Sequence, residues 1–583
     1  MSLPNRRHLL GLALAAALTT ACTTAPPAAS PQAPQRPKLV VLVVIDGLPM
    51  RQVTGYRDQL SPDGFARFLD RGRWFSDAHY GHGHTVTAAG HSVMLTGAYP
   101  QRSGIISNEW RDPATGEPVY NTGDAAYTYL DNPTAPLSGT SPRNLKVQTL
   151  GDVLRTRSPE SRVIGISGKD RGAILPAGHK GTAYMYMSET GQFSSSTYYM
   201  PALPDWVKAF NASKPADAFF KKTWAPLLQG YDCPQIATSS LPPPEGATPA
   251  RGGPSPACAY SQSAPDGQPW QVASGNGNRL PAVIGDKMDA PGPRFYGNLL
   301  ASPFGDELTL AFARAAVTNE KLGQRGVQDI LSVSLSSHDY VNHAFGPESR
   351  LSHDHTLQLD RHLQAFFQFL DKTVGVDNYV LALTADHGFT DTPEWAATQG
   401  RDAGRFSNAP SLAAVNGALS AKFGVDKLAR DFSASGLLLN EQLAAEHGLK
   451  FADVQAAARE ELLKLPGVEA VFTREQLLGS DTTTPYLEAM RKSFDPTRAA
   501  QLQIVLKPNW IFSYRAGGST HGSPHRYDTH VPLLFWGPSY VGRGEEKARV
   551  EIADLAPTLA AIAGLPAPAQ AQGRDLKLSA AAR

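Results

Sequence analysis

The sequence predicts a doubly wound α/β fold with a mostly parallel central sheet and an inserted α/β cap, and three observations carry that prediction. The run KLVVLVVID at 38–46 is continuously apolar up to its final acid and rich in β-branched residues, as a strand covered on both faces requires. The same grammar returns in RVIGISGKDRG, DILSVSLSSHDY, YVLALTADHG and HVPLLFWG, with helix-length segments between them. Three of these runs are followed by an aspartate, Asp46, Asp339 or Asp386. The carboxyl edge of the sheet, where such folds bind ligands, therefore collects acids.

Taken in order, residues 1–22 place Arg6 and Arg7 before a short apolar run that ends in small residues at Cys22. That is the layout of an export signal, and the run is too short for a convincing membrane span. Cys22 after TTA resembles a lipoprotein cleavage site and is a candidate outer-membrane lipid anchor, while Arg6-Arg7 resembles a twin-arginine pair. Residues 23–37 are a Pro/Ala-rich linker. These features imply an exported, periplasmic protein.

The main domain is expected over 38–575, with 576–583 as a tail and two insertions. One, at about 206–290, is rich in proline, glycine and serine and reads as a surface segment. The other, at about 408–505, reads as the cap. Within it DVQAAAREELLKL predicts a helix capped by Asp453, with Val454, Ala458, Leu462 and Leu465 on one face. Pro466-Gly467 ends that helix, and VEAVFT alternates as a strand.

Composition narrows the function. Lysine plus arginine (54) nearly balance aspartate plus glutamate (53), so nothing argues for a nucleic-acid partner. Cys233 and Cys258 could form one disulfide in an oxidising compartment, but no CxxC pattern exists to make a thiolate zinc site. Any metal must be held by histidine and carboxylate.

Such residues are present. Asp339 and His343 are four apart, so one helical turn brings them together. Asp386 and His387 stand at a strand end, where a tight turn lets neighbours reach adjacent ions, and THGSPHRYDTH adds His521, His525 and His530. Oxygen plus imidazole without thiolate suits zinc or manganese in a site with open positions. Taken singly, each pair also fits an exposed helix face or a surface turn; their shared placement after buried strands argues against that. A reacting hydroxyl is expected from Thr85 or Thr87 in GHGHTVTAAGHSVMLTG, where Ala88, Ala89 and Gly90 could open a helix facing an anion. Lys169 and Arg171, two apart on an extended chain, would point one way with Asp170 turned aside, and two fixed cations suit a dianionic phosphoryl group.

These motifs resemble the alkaline phosphatase superfamily of two-metal phosphotransferases, in particular its single-chain phosphate-irrepressible members of the PafA type. The resemblance runs through VVLVVIDGL, HTVTAAGHSVMLTGAYPQRSGIISNEW, GISGKDRGAILPAGH, DYVNHAFGP, TADHGFTD and HGSPHRYDTHVPLLFWG, across nearly all of 38–575. It implies two Zn2+: Asp46, Asp386, His387 and Thr87 around one, Asp339, His343 and His521 around the other, with His525 as the alternative to His521. It implies Thr87 as nucleophile through a phosphothreonine, Thr85 as structural, and Asn108, Lys169 and Arg171 as phosphoryl contacts. The substrates implied are small phosphate monoesters, and a monomer is expected. The family commonly has T-G-P-G-H where this chain has Thr87-Ala88-Ala89-Gly90-His91, and His82 and His84 are additions without an assigned place. A phosphodiesterase or nucleotide pyrophosphatase on the same fold is the nearest alternative. An exported metal- or phosphate-binding protein without catalysis is the next, and no Cys/Ser-x-Pro-x-Arg segment supports a sulfatase.

Overall fold

The computed structural model describes residues 36–232, 259–273, 275–513 and 515–578. The export signal, Cys22, most of the linker, Cys233, Cys258 and the last five residues lie outside the described residues.

Nine strands form the central sheet: β1 (Leu39–Ile45), β2 (Arg73–Phe75), β3 (Val163–Ser167), β4 (Thr182–Met187), β5 (Gln192–Ser194), β6 (Asp329–Leu335), β7 (Tyr379–Thr384), β8 (Leu533–Trp536) and β9 (Gly544–Glu546). Their order is β9-β2-β8-β7-β1-β6-β3-β4-β5. The middle five, β7 to β4, are parallel, with Leu39 opposite both Asp329 and Tyr379. The HVPLLFWG strand departs from the repeating grammar, since β8 runs antiparallel to β7. Every residue of β1, β6 and β7 is buried, which is why these strands read as unbroken apolar runs rather than alternating ones.

Five helices frame the carboxyl edge of the sheet: α1 (Thr87–Met94), α2 (Asp170–Ala177), α3 (Pro303–Asn319), α4 (Ser337–Phe345) and α5 (Arg350–Leu370). Gly90 lets α1 approach β7, because a Cβ there would stand 2.0 Å from the Asp386 carbonyl oxygen. No side chain larger than hydrogen fits.

The cap has its own core. Strands 429–433, 436–439, 502–506 and 468–473 form an antiparallel sheet in that order, against helices Asn408–Phe423 and Phe451–Leu462. Val454, Ala458 and Leu462 are buried as the pattern required. Asp453 is not the cap: the helix starts at Phe451 after Lys450, which leaves Asp453 in the first turn, where its charge still favours the helix dipole. The helix also closes at Leu462, before Leu465 and Pro466.

The described part of 206–290 is more than a surface loop. Trp224 is buried and its indole donates to Asp354 of α5 at 2.7 Å, while the Leu227 N–H and the Tyr260 hydroxyl reach the other carboxylate oxygen. A carboxylate with three donors anchors this segment over α5.

Candidate metal centre

The topology places the acids. Asp46 follows β1, Asp339 lies in the first turn of α4 after β6, and Asp386 follows β7, and these three strands are adjacent. Two groups result. Asp46, Asp386 and His387 form one; Asp339, His343 and His521 form the other, and within each the ligand atoms lie within 4.8 Å of one another. His387 Nε2 is 3.5 Å from Asp46 Oδ1 and 3.6 Å from Asp386 Oδ2, so this adjacent pair shares one group rather than dividing between two. Asp339 Oδ1 is 3.3 Å from His343 Nε2, one helical turn on, and 3.6 Å from His521 Nε2.

The three histidines are oriented alike. His343 Nδ1 meets the Ser519 carbonyl at 2.8 Å, His387 Nδ1 that of Gly388 at 2.9 Å, and His521 Nδ1 that of Thr85 at 2.9 Å. A carbonyl can only accept, so each Nδ1 carries the proton and each Nε2 presents a lone pair. Burial lowers the pKa of His387 and, with His387 beside it, that of His521, which keeps both rings in the neutral, ligating form.

The other histidines go elsewhere. His525 Nε2 is held by the Leu506 carbonyl at 2.7 Å, outside both groups. His530 belongs to a separate cluster with Asp77 and His79, in which Arg526 already stands 3.1 Å from both partners. His84 is tied to Ser107 and Gly522. His82 is fully buried, and neither ring nitrogen has a partner among the described residues. His91 is a contributor that the motifs do not single out: its Nδ1 lies 2.8 Å from the Thr87 carbonyl and 3.2 Å from Asp386 Oδ2, linking the hydroxyl's residue to the first group. The Gly90-His91 pair is its signal in the sequence.

Thr87 opens α1 and is buried. Thr85 donates to the Ser523 carbonyl at 2.9 Å and is committed to the loop. Asn108 Oδ1 accepts from the Ala88 N–H at 2.8 Å, which leaves its amide N–H groups as the remaining donors beside Thr87. Lys169 and Arg171 are not on one extended segment, because α2 begins at Asp170. Asp170 is not turned aside either: it accepts from the Tyr120 hydroxyl at 2.6 Å, and that hydroxyl lies 3.2 Å from Arg171 Nη1. Lys169 Nζ spans the two groups, 2.7 Å from Asp46 and 2.6 Å from Asp339, over the Tyr340 ring at 5.0 Å. No sequence pattern announces Tyr120 or Tyr340.

The electrostatics ask for cations. Three carboxyl groups face a single ammonium in a buried space, with Arg171 balanced by Asp170. Burial, then Asp386, holds the Asp46 carboxyl well above its usual range. Burial acts the same way on Asp339, but His343 and Lys169 outweigh it and hold that group well below. Asp46 Oδ1, Asp339 Oδ1 and His387 Nε2 are buried without hydrogen-bond partners among the described residues. Buried orphan acceptors facing one another at these spacings fit divalent cations held by oxygen and imidazole.

Comparisons with known proteins show the family. The sequence model of the type I phosphodiesterase / nucleotide pyrophosphatase family matches residues 40–529. Alkaline phosphatase PafA of Elizabethkingia meningoseptica is 31% identical over 545 residues, 93% of this chain and 94% of that one. A Myroides odoratus protein named as a calcium-transporting ATPase is 33% identical over 535 residues, 91% and 92% of the two chains. Among the described residues no helix is long and apolar enough to cross a membrane. The crystal structure of PafA superposes with a TM-score of 0.84 at 30% identity, covering 94% of this chain and all of that one. A PafA variant with a threonine, an asparagine, a lysine and an arginine replaced matches equally well. The chain thus belongs to the type I phosphodiesterase / nucleotide pyrophosphatase family and, within it, to the alkaline phosphatases of the PafA type.

Proposed function

We propose that this alkaline phosphatase hydrolyses small phosphate monoesters through Thr87, with two zinc ions as its resident metals, one for each carboxylate–histidine group. The observation that carries the reading is the pair of buried groups left with unpartnered acceptors across the ends of β1, β6 and β7. Bound divalent cations there supply charge neutralisation and lower the pKa of the reacting hydroxyl.

The chain's own residues do the rest. Asp46, Asp386, His387 and Thr87 would hold one ion, and Asp339, His343 and His521 the other. Thr87 Oγ attacks phosphorus in line, the bond to the leaving oxygen breaks, and the alcohol departs. Water then cleaves the phosphothreonine, releasing phosphate and restoring the hydroxyl. Asn108 donates to a phosphoryl oxygen, its amide fixed by the Ala88 N–H. Lys169 and Arg171 neutralise the remaining oxygens, Arg171 through an orientation set by Tyr120 and Asp170. Since phosphoryl transfer involves little covalent work for the protein, positioning and charge account for most of the catalysis. The replaced residue types in the PafA variant are those of Thr87, Asn108, Lys169 and Arg171.

The family description also names phosphodiesterases. Lys169 and Arg171 favour monoesters, because a diester has esterified an oxygen that they would otherwise neutralise. Export to the periplasm is proposed from the Arg6-Arg7 segment, with Cys22 as the anchor, and action as a single chain is proposed with it. The central test is turnover of an aryl phosphate with metal analysis, in wild type and Thr87→Ala. Full activity in the variant would overturn the nucleophile, and less than two zinc ions per chain in active protein would overturn the metal assignment.

A further inference from the structure

Beside His343 lies a cavity of about 490 Å3, within the size range of small-molecule sites. Among the residues that wall it, α4 contributes Tyr340, His343 and Ala344, the 206–290 segment contributes Val272, and the strand after the cap contributes Phe512. Val272 is 38% exposed, one of few large apolar side chains so exposed among the described residues, and its backbone N–H is pinned to the Ala344 carbonyl at 2.8 Å. This side of the wall is therefore apolar and held in place.

The side facing that wall is polar, with Asn298, Arg405, Ser513, Arg515, Ser519 and Thr520, and several of these groups are committed to other partners. Arg405 lines the cavity but pairs with both oxygens of Glu394 at 2.9 and 2.7 Å and donates to the Gly518 carbonyl at 2.7 Å. Asn298 Nδ2 is buried without a hydrogen-bond partner among the described residues. Gly518, at φ +66°, passes flat against α4, where a Cβ would stand 2.5 Å from the His343 carbonyl oxygen. That close approach leaves no room for a side chain at position 518.

We propose that this cavity is the leaving-group subsite and that it selects phosphate monoesters of flat apolar alcohols, aryl esters above all, over those of polyols. The inference rests on the monoesterase reading of the centre. His343 belongs to the Asp339 group and is 37% exposed, so the ligand set opens directly onto this wall. An aromatic ring gains by burial against Val272, Tyr340 and Phe512. A polyol presents little apolar surface to bury against these three side chains.

The test compares kcat/KM for phenyl phosphate and glycerol 3-phosphate in zinc-loaded wild type, Val272→Asp and Val272→Ser, with inhibition by inorganic phosphate measured in parallel. Phosphate occupies the phosphoryl site alone, so an unchanged Ki shows that the centre of each variant is folded. Val272→Asp is expected to lower kcat/KM for phenyl phosphate roughly tenfold and for glycerol 3-phosphate less than twofold, with Val272→Ser between. Equal losses on both esters, or no loss on phenyl phosphate at unchanged Ki, would overturn the subsite while leaving the monoesterase reading intact. Wild-type protein inert toward both esters would overturn that reading and the subsite with it.

Discussion

The sheet edge and the cap are built on opposite rules. At the edge, Asp46, Asp339, Asp386 and His387 are buried and retain unpartnered polar atoms. In the cap, Leu437, Val454, Leu462 and Leu502 are equally buried but apolar, and pairs such as Lys464–Glu460 stay at the surface. The difference teaches where stability and activity reside: the cap closes its own core, whereas the edge spends folding free energy on a charge arrangement that only cations complete. Substitutions should therefore separate cleanly between the two regions.

The sharpest separation is expected from Thr87→Ala. Monoester turnover should fall by roughly 10³-fold or more with Tm within a few degrees of wild type, measured by aryl phosphate assay and thermal melts. A large fall in Tm would mean that Thr87 is structural. Next, Lys169→Ala with Arg171→Ala should lower monoester kcat/KM by roughly 10²-fold and diester kcat/KM less. Equal losses would remove the distinction between monoester and diester. On the cap side, Leu462→Ala should lower unfolding free energy by about 2–5 kcal/mol while leaving the kcat of the folded fraction within twofold. If kcat falls in step with stability, the two regions are not independent.

Asp339→Asn tests the edge from the other direction. It should lower metal content to about one ion per chain and also lower the Tm of the chelator-treated protein, because it removes the buried carboxylate that pairs with Lys169. Metal analysis and melts with and without chelator read both effects.

The smallest effect concerns Asp306 of α3. Burial pushes its carboxyl up to about 7, with the Ser337 N–H opposing, and the facing groups are His355 Nε2 of α5 at 3.5 Å and, through His355, His338 of α4. A carboxyl raised above its ordinary 3.8 contributes stability that is complete below that pH and is lost as pH rises through about 7. Asp306→Asn should flatten the dependence of Tm on pH between roughly 4 and 8. An unchanged slope would assign the dependence to other groups.

Much of the edge is legible in the sequence, because a fully buried parallel strand leaves an unbroken apolar run and its terminal acid is conspicuous. Asp339 and His343 are legible from helical spacing alone. The selection of His521 over His525 needs the family resemblance, since the two stand four apart in one loop and only the Leu506 carbonyl shows why His525 is spent elsewhere. Lys169 and Arg171 are located by their charges, but the extended geometry expected for them fails, because Ser-Gly-Lys-Asp carries no signal strong enough to mark the start of α2. Tyr120, Tyr340 and the anchoring of Trp224 on Asp354 are invisible for a simpler reason. Each depends on partners 50 to 171 positions away or on a helix approached from another part of the fold, and local pattern does not encode such pairings.

The three imidazoles proposed as ligands are held at Nδ1 by main-chain carbonyls of Thr85, Gly388 and Ser519. A main-chain carbonyl persists whatever residue occupies the position and does not titrate between acid and alkaline pH. The tautomer of each of these imidazoles is thus insulated both from point mutation in those loops and from the pH of the medium. Substitutions at Ser519 that keep the backbone path should leave metal affinity nearly unchanged, so the loops can drift in sequence while the centre does not.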